Sequence, residues 1–159
     1  MAKRRKRRSR KAAPLPDPKK PFKEQDPRVL LAMCIFGEAR GEGDEGKLAV
    51  GCVVRNRVNS EGRYGVGFPG VILKPWQFSS FNANDPNRHK LLEPLKHEPK
   101  AVWEACFAAA AAVFGEEAGD VTEGAVFYYS LPCCEPPGAW GDVLPTVKIG
   151  SLNFYRLAA

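Results

Sequence analysis

Four carboxylates and four glycines share the ten residues Gly37-Glu38-Ala39-Arg40-Gly41-Glu42-Gly43-Asp44-Glu45-Gly46. Apolar segments lead into the stretch, from Val29 to Phe36, and out of it, from Leu48 to Val58. A carboxyl group at the end of an apolar helix loses water, which disfavours its charged form and raises its pKa. An acid kept protonated near neutral pH can give a proton to a leaving group. Glu38 stands where this applies. The reaction such an acid suits is glycosidic bond cleavage, in which the leaving oxygen takes a proton and the sugar becomes cationic. The usual scheme sets a second carboxylate across the bond. Glu42, Asp44 and Glu45 could each fill that place. Each suits a helix cap or first turn equally well, where the dipole favours acids. An ionised Glu42 would add to the upward push on Glu38. Arg40 would oppose it, so Arg40 is expected to make its contacts elsewhere.

A second group of residues could hold a sugar. Trp76-Gln77-Phe78-Ser79-Ser80-Phe81-Asn82 mixes rings with small amides and hydroxyls. Rings stack on apolar pyranose faces, and polar tips bond hydroxyl and acetamido groups. Gln77, Phe78 and Ser79 are therefore candidate substrate contacts, with Tyr128 and Tyr129 as candidate cleft walls. The same mixture also fits a loop pinned by aromatic plugs. The two histidines, His89 and His97, form no ligand or nucleophile pattern and read as surface residues. Cys34, Cys52 and Cys106 lie in apolar runs and read as core. Cys133 and Cys134 are adjacent, a poor geometry for a bridge. With no CxxC or Cys/His ligand spacing, no zinc site is expected, and glycosidic cleavage by a carboxyl group requires no cofactor. The pattern suits synthesis in a reducing cytoplasm.

These residues need a scaffold. Asp26-Pro27 reads as a helix start, with Asp as N-cap and Pro at the first position. That helix should stop between Glu38 and Gly41. Asp44 is expected to cap a second helix with Leu48, Cys52, Val53 and Val58 buried, Arg55 and Arg57 facing elsewhere, and an end at Asn59-Ser60. Glu61 to Phe68 reads as loop, and Val71-Ile72-Leu73 as a short apolar piece. Pro99 opens a third helix through Trp103, Cys106 and the alanine run to Gly115. After a turn at Thr122-Glu123-Gly124, Ala125 to Ser130 is β-prone. Leu131 to Gly141 reads as a Pro/Gly loop, and Thr146 to Tyr155 as a hairpin turning at Gly150-Ser151. The class is α+β, mainly helical, with a few short late strands.

Charge divides the chain. Residues 1–23 hold 11 of the 24 Lys and Arg but one of the 18 Asp and Glu, leaving the body mildly acidic. Residues 1–23 are read as a disordered basic arm, and 24–159 as the folded domain. The run Lys3-Arg4-Arg5-Lys6-Arg7-Arg8 could meet an anionic envelope polymer, nucleic acid or acidic lipid, act as a localisation signal, or serve as a solvated tail. No apolar run approaches the ~20 residues that span a bilayer. No secretory signal is visible, because the basic start lacks an apolar segment after it. The rival reading is a nucleic-acid-associated protein acting through the arm, with affinity that falls steeply with salt.

The chain resembles the SleB-type cell wall hydrolases, a family named for a spore cortex-lytic enzyme. The matching pieces run in the family's order: Ala32 to Gly46 with Glu-Ala-Arg-Gly-Glu, Ala49-Val50 with Val53-Val54 and Asn56-Arg57-Val58, Gln77-Phe78-Ser79, Gly124-Ala125 with its aromatics, and Thr146 to Gly150 ending in Phe154-Tyr155. The resemblance covers Val29 to Arg156. It implies a lysozyme-like catalytic domain acting on peptidoglycan glycan strands. The bond would be that between N-acetylmuramic acid and N-acetylglucosamine, cleaved by hydrolysis or lytic transglycosylation. Glu38 matches the family's catalytic glutamate, and Glu42 is its second acid. Two departures bear on substrate contacts: Ser151-Leu152-Asn153 stands where a His often follows Ile-Gly, and Phe81 where a Trp often follows Gln-Phe-Ser. A monomer is expected, made without a signal peptide and acting on a cell wall, as a phage-type lysin would.

Overall fold

The run Val29 to Phe36 has no polar face. A helix made from it must be surrounded rather than laid on a surface. In the computed structural model, which describes residues 11–115, 118–130 and 136–159, helix α1 (Pro27–Ala39) is that central element. Every side chain from Leu30 to Phe36 is 0% exposed. The Asp26 carboxylate accepts the Arg28 N–H at 2.9 Å and Pro27 takes the first position, as the sequence predicts. Helix α2 (Asp44–Val58) packs beside α1. Its N-cap is Gly43 rather than Asp44, which is the first helical residue; there its carboxylate still faces the positive end of the dipole.

Short helices α3 (Gly67–Ile72) and α4 (Arg88–Leu92) close two more sides of α1. The long helix α5 (Lys100–Phe114) lies across α1 and α2. It is the fifth helix described rather than the third, because α3 takes in the apolar piece Val71-Ile72 and α4 forms in the polar stretch before Pro99. Trp103, Cys106, Ala109, Ala110 and Val113 form its buried face. Alanines leave no gap there because the helices approach closely. Gly37 serves the same closeness on α1, where an added Cβ would sit 2.9 Å from Ser80 Oγ and 3.1 Å from Leu91 Cδ2.

Three antiparallel strands follow, β1 (Phe127–Tyr129), β2 (Val143–Ile149) and β3 (Leu152–Leu157), in the order β1-β3-β2. The hairpin turns at Gly150-Ser151, and Gly150 has φ +57°, a conformation glycine adopts without strain. Tyr128 pairs with Phe154, so β3 sets the register of the strand that faces α1. The mixed, mainly helical class expected from the sequence is thus observed.

Residues 11–23, read from composition as part of the disordered arm, instead lie against the body. Pro14 accepts a hydrogen bond from the Trp103 indole N–H at 3.0 Å. The buried Gln25 amide gathers the segment, accepting from Asp17 N–H and donating to the Asp17 and Lys20 carbonyls. Phe22 is 8% exposed and meets the Phe81 ring edge-on at 5.0 Å. Composition missed this because the anchors are backbone carbonyls and one aromatic ring rather than an apolar run. The six-residue cationic run lies outside the described residues, as do Cys133 and Cys134.

Candidate active site

Glu38 is one turn beyond Cys34 and lies at the rim of the core. Burial raises its pKa above the ordinary carboxyl value, against the hydrogen bond from Tyr128 and the positive charge of Arg57. Asp85 adds a smaller upward push, the part expected of Glu42. The Tyr128 hydroxyl donates to Glu38 Oε2 at 3.0 Å. Burial, and then the charge of Glu38, push the phenol well up, so it stays a donor. Arg40 turns away as expected: it pairs with Glu98 at 3.5 Å and donates to the Phe36 carbonyl.

The Asn56-Arg57 pair on α2 holds Tyr128 in place. Asn56 Nδ2 donates to the Ala125 carbonyl at 2.8 Å and to Asp120 Oδ2 at 2.9 Å. Arg57 Nε donates to the Val126 carbonyl at 2.7 Å. Two adjacent helix residues thereby grip the chain just ahead of β1. Burial alone would raise the Asp120 carboxyl, but bonds from Thr122, Asn56 and the Gly124 N–H outweigh it and hold the group low. The sequence reading turned Arg57 away from the core. It is buried, with its guanidinium 5.1 Å from the Phe78 ring centre, 5.6 Å from Tyr64 and 5.7 Å from Phe127. The signal was available: Val50, Val54 and Arg57 fall at i, i+4 and i+7, on one helix face. Arg55 does turn elsewhere, donating to the Ala118 carbonyl at 3.2 Å near the end of α5.

Two cavities meet at Glu38 and Tyr128. One, of about 560 Å³, is bounded by Arg57, Lys74, Trp76, Gln77 and Trp140. The other, of about 500 Å³, is bounded by Glu42, Tyr129, Ser130 and Ser151. Together they make a groove that passes the Glu38 carboxyl on both sides. Gln77 lines the first and accepts from Arg57 Nη1 at 3.4 Å; Phe78 is its buried floor. Tyr128 lines both and Tyr129 the second. Ser79 lines neither: it is exposed and opens a 3-10 turn whose buried hydroxyl is that of Ser80. Trp140, stacked on Phe127 at 4.8 Å, and the exposed Trp76 are walls the sequence reading did not single out as contacts.

Glu42 is engaged rather than free. The Ser151 hydroxyl donates to its Oε1, and the Ser151 N–H approaches Oε2 at 3.5 Å. The buried Lys47 ammonium donates to its backbone carbonyl. A Cβ at position 150 would collide with the Glu42 carboxylate, so glycine there meets both the turn and the close approach. Glu42 thus ties the bend between α1 and α2 to the β2–β3 turn.

The sequence model of the cell wall hydrolase family matches residues 41–155. The chain belongs to that family. The match starts three residues after Glu38, so the place of Glu38 rests on the geometry above. The spore cortex-lytic enzyme of Bacillus subtilis (strain 168) is 31% identical over 127 residues, covering 80% of this chain and 36% of that enzyme. The spore cortex-lytic enzyme of Oceanobacillus iheyensis is 36% identical over 77 residues, covering 42% of this chain and 26% of the relative. The chain therefore spans only a minor part of the length of these cell wall hydrolase relatives. Among solved structures, the catalytic domain of the germination-specific lytic transglycosylase SleB from Bacillus anthracis superposes with a TM-score of 0.61 at 24% identity, over 80% of this chain and 92% of that one. The catalytic domain of the Bacillus cereus SleB protein gives 0.53 at 23%, over 80% and 88%. These likenesses show that the chain has the fold of the SleB catalytic domains. No helix among the described residues is long and apolar enough to cross a membrane.

Proposed function

We propose that the folded body, 24–159 with its packed leading strap, degrades peptidoglycan by cleaving the bond between N-acetylmuramic acid and N-acetylglucosamine. Glu38 is its general acid and base. The observation that carries this reading is a carboxyl group raised by burial, held by a phenol, at the junction of two cavities. Membership of the cell wall hydrolase family supplies the substrate class. Protonated Glu38 gives its proton to the glycosidic oxygen as the C1–O bond breaks. The resulting carboxylate is stabilised by the Tyr128 hydroxyl and the Arg57 charge, which fits it to act next as a base.

Of the two acids that line the groove among the described residues, Glu42 is bound to Ser151 and serves as a positioning residue. One working carboxylate favours the intramolecular route. Glu38 takes the proton of the muramyl C6 hydroxyl, whose oxygen closes on C1, and no water is consumed. Mass spectrometry of digested sacculi tests this: the expected muramyl ends are anhydro, lighter by one water than hydrolysed ends. Hydrolysed ends would replace the intramolecular route with water attack, and absence of any soluble fragment would overturn the reading.

The seven cations of residues 1–10 are proposed to hold the protein to phosphate- and carboxylate-rich envelope polymers. Removing residues 1–10 alone, which spares the packed strap, is expected to weaken lysis of whole cells severalfold at low salt and little at high salt. Cleavage of purified glycan should be unchanged; its loss would refute the adhesive role.

A further inference from the structure

The two halves of the groove differ in charge. The Trp76 half is lined by Arg57, Arg63 and Lys74, with Glu38 as the one acid among the described residues. Among the described residues, the other half is lined by Glu38 and Glu42 and by no Lys or Arg. Arg57 is committed to the Val126 carbonyl and its ring of aromatics. Arg63 and Lys74 are exposed, and neither has a carboxylate within 4.0 Å among the described residues. Beside them stands Trp76, 78% exposed, with φ +67°. A bulky residue seldom adopts that conformation, and this one is not held there by burying its ring in the core. What the conformation achieves is an indole presented at the groove mouth.

Resting on the glycan-cleaving reading, we propose that this half is the subsite for the carboxylate-bearing sugar of peptidoglycan. Arg63 and Lys74 read its negative charge, Trp76 stacks on its apolar ring face, and the glycan is thereby laid across Glu38 in one direction. The uncharged sugar then occupies the half where a second carboxylate would meet Glu42. The charge that is read belongs either to the lactyl arm of the sugar or to the peptide attached to it.

Binding to the Glu38→Gln protein separates these sources. Three probes of equal chain length serve: peptide-free muramyl glycan, the same glycan with its peptides, and a neutral chito-oligosaccharide. Adding R63Q/K74Q is expected to loosen an acidic glycan about five- to tenfold at low salt and less at high salt. The neutral oligosaccharide should stay within about twofold. A loss confined to the peptide-bearing probe assigns the charge to the peptide; a loss confined to the peptide-free probe assigns it to the lactyl carboxylate, which attachment of the peptide converts to an amide; a loss with both shows that either carboxylate is read there. Trp76→Ala should loosen all three probes alike. If R63Q/K74Q weakens acidic and neutral probes equally, or neither, the assignment fails while the glycan reading stands. If the Glu38→Gln protein binds none of the three, both fail.

Discussion

Glu38→Gln is expected to slow the clearing of cell-wall suspensions by about 10²–10⁴-fold, the usual contribution of a positioned general acid. The amide keeps the shape and the acceptor oxygen for Tyr128 but has no proton to give at the required strength. The parent protein should lose activity as pH rises through the raised Glu38 pKa, because only the protonated form can act. Stability carries the same sign. A carboxyl whose pKa is raised on folding binds its proton more tightly in the folded state. The folded protein therefore loses stability as pH climbs from the ordinary carboxyl range to the raised value. The Gln variant has no such loss, so its Tm advantage over the parent should grow across that window. Equal clearing by the two proteins would remove Glu38 from the acid role.

Arg57→Met is the second large effect. Methionine fills much of the volume but leaves the Val126 carbonyl without its donor, at about 1–3 kcal/mol. Loss of the cation over its aromatic neighbours adds about 0.5–2 kcal/mol. A fall of about 1.5–5 kcal/mol in unfolding free energy is expected, measurable by urea titration. Removing the positive charge also removes a downward pull on Glu38. The alkaline limb of the pH–rate profile should then move to higher pH, while the rate falls because β1 loses its grip. A limb that stays in place would mean that Arg57 holds the strand without acting on the acid.

The sequence made the elements legible where local chemistry alone decides them. Asp26-Pro27 starts α1, Gly150-Ser151 turns the hairpin, and the unbroken apolar run predicts a buried helix that ends at an acid. The relations between distant parts were less legible. Arg57 is expected to face away from the core because a cation in a helix usually does, and only the segment just ahead of β1 supplies the carbonyl that satisfies it. Ser79 looked like a sugar contact from its neighbours, yet the 3-10 turn points the adjacent Ser80 inward and leaves Ser79 outside the groove. The segment before α1 read as arm because its anchors are an amide, a proline carbonyl and one ring. Trp76 was visible as an aromatic, but its left-handed backbone and its place at the groove mouth are tertiary facts.

The bond between Glu42 and Ser151 joins positions 109 residues apart. The groove's second half therefore lacks its Ser151 and Leu152 wall until the last hairpin is made and docked. A chain still emerging from the ribosome already carries Glu38 on its central helix but lacks Tyr128, the phenol that addresses it, and the turn that fixes the bend. Such long-range closure is a slow, late event in folding. The groove beside Glu38 is thus completed last, and a chain ending before Tyr128 would be a helical stub that lacks its second half.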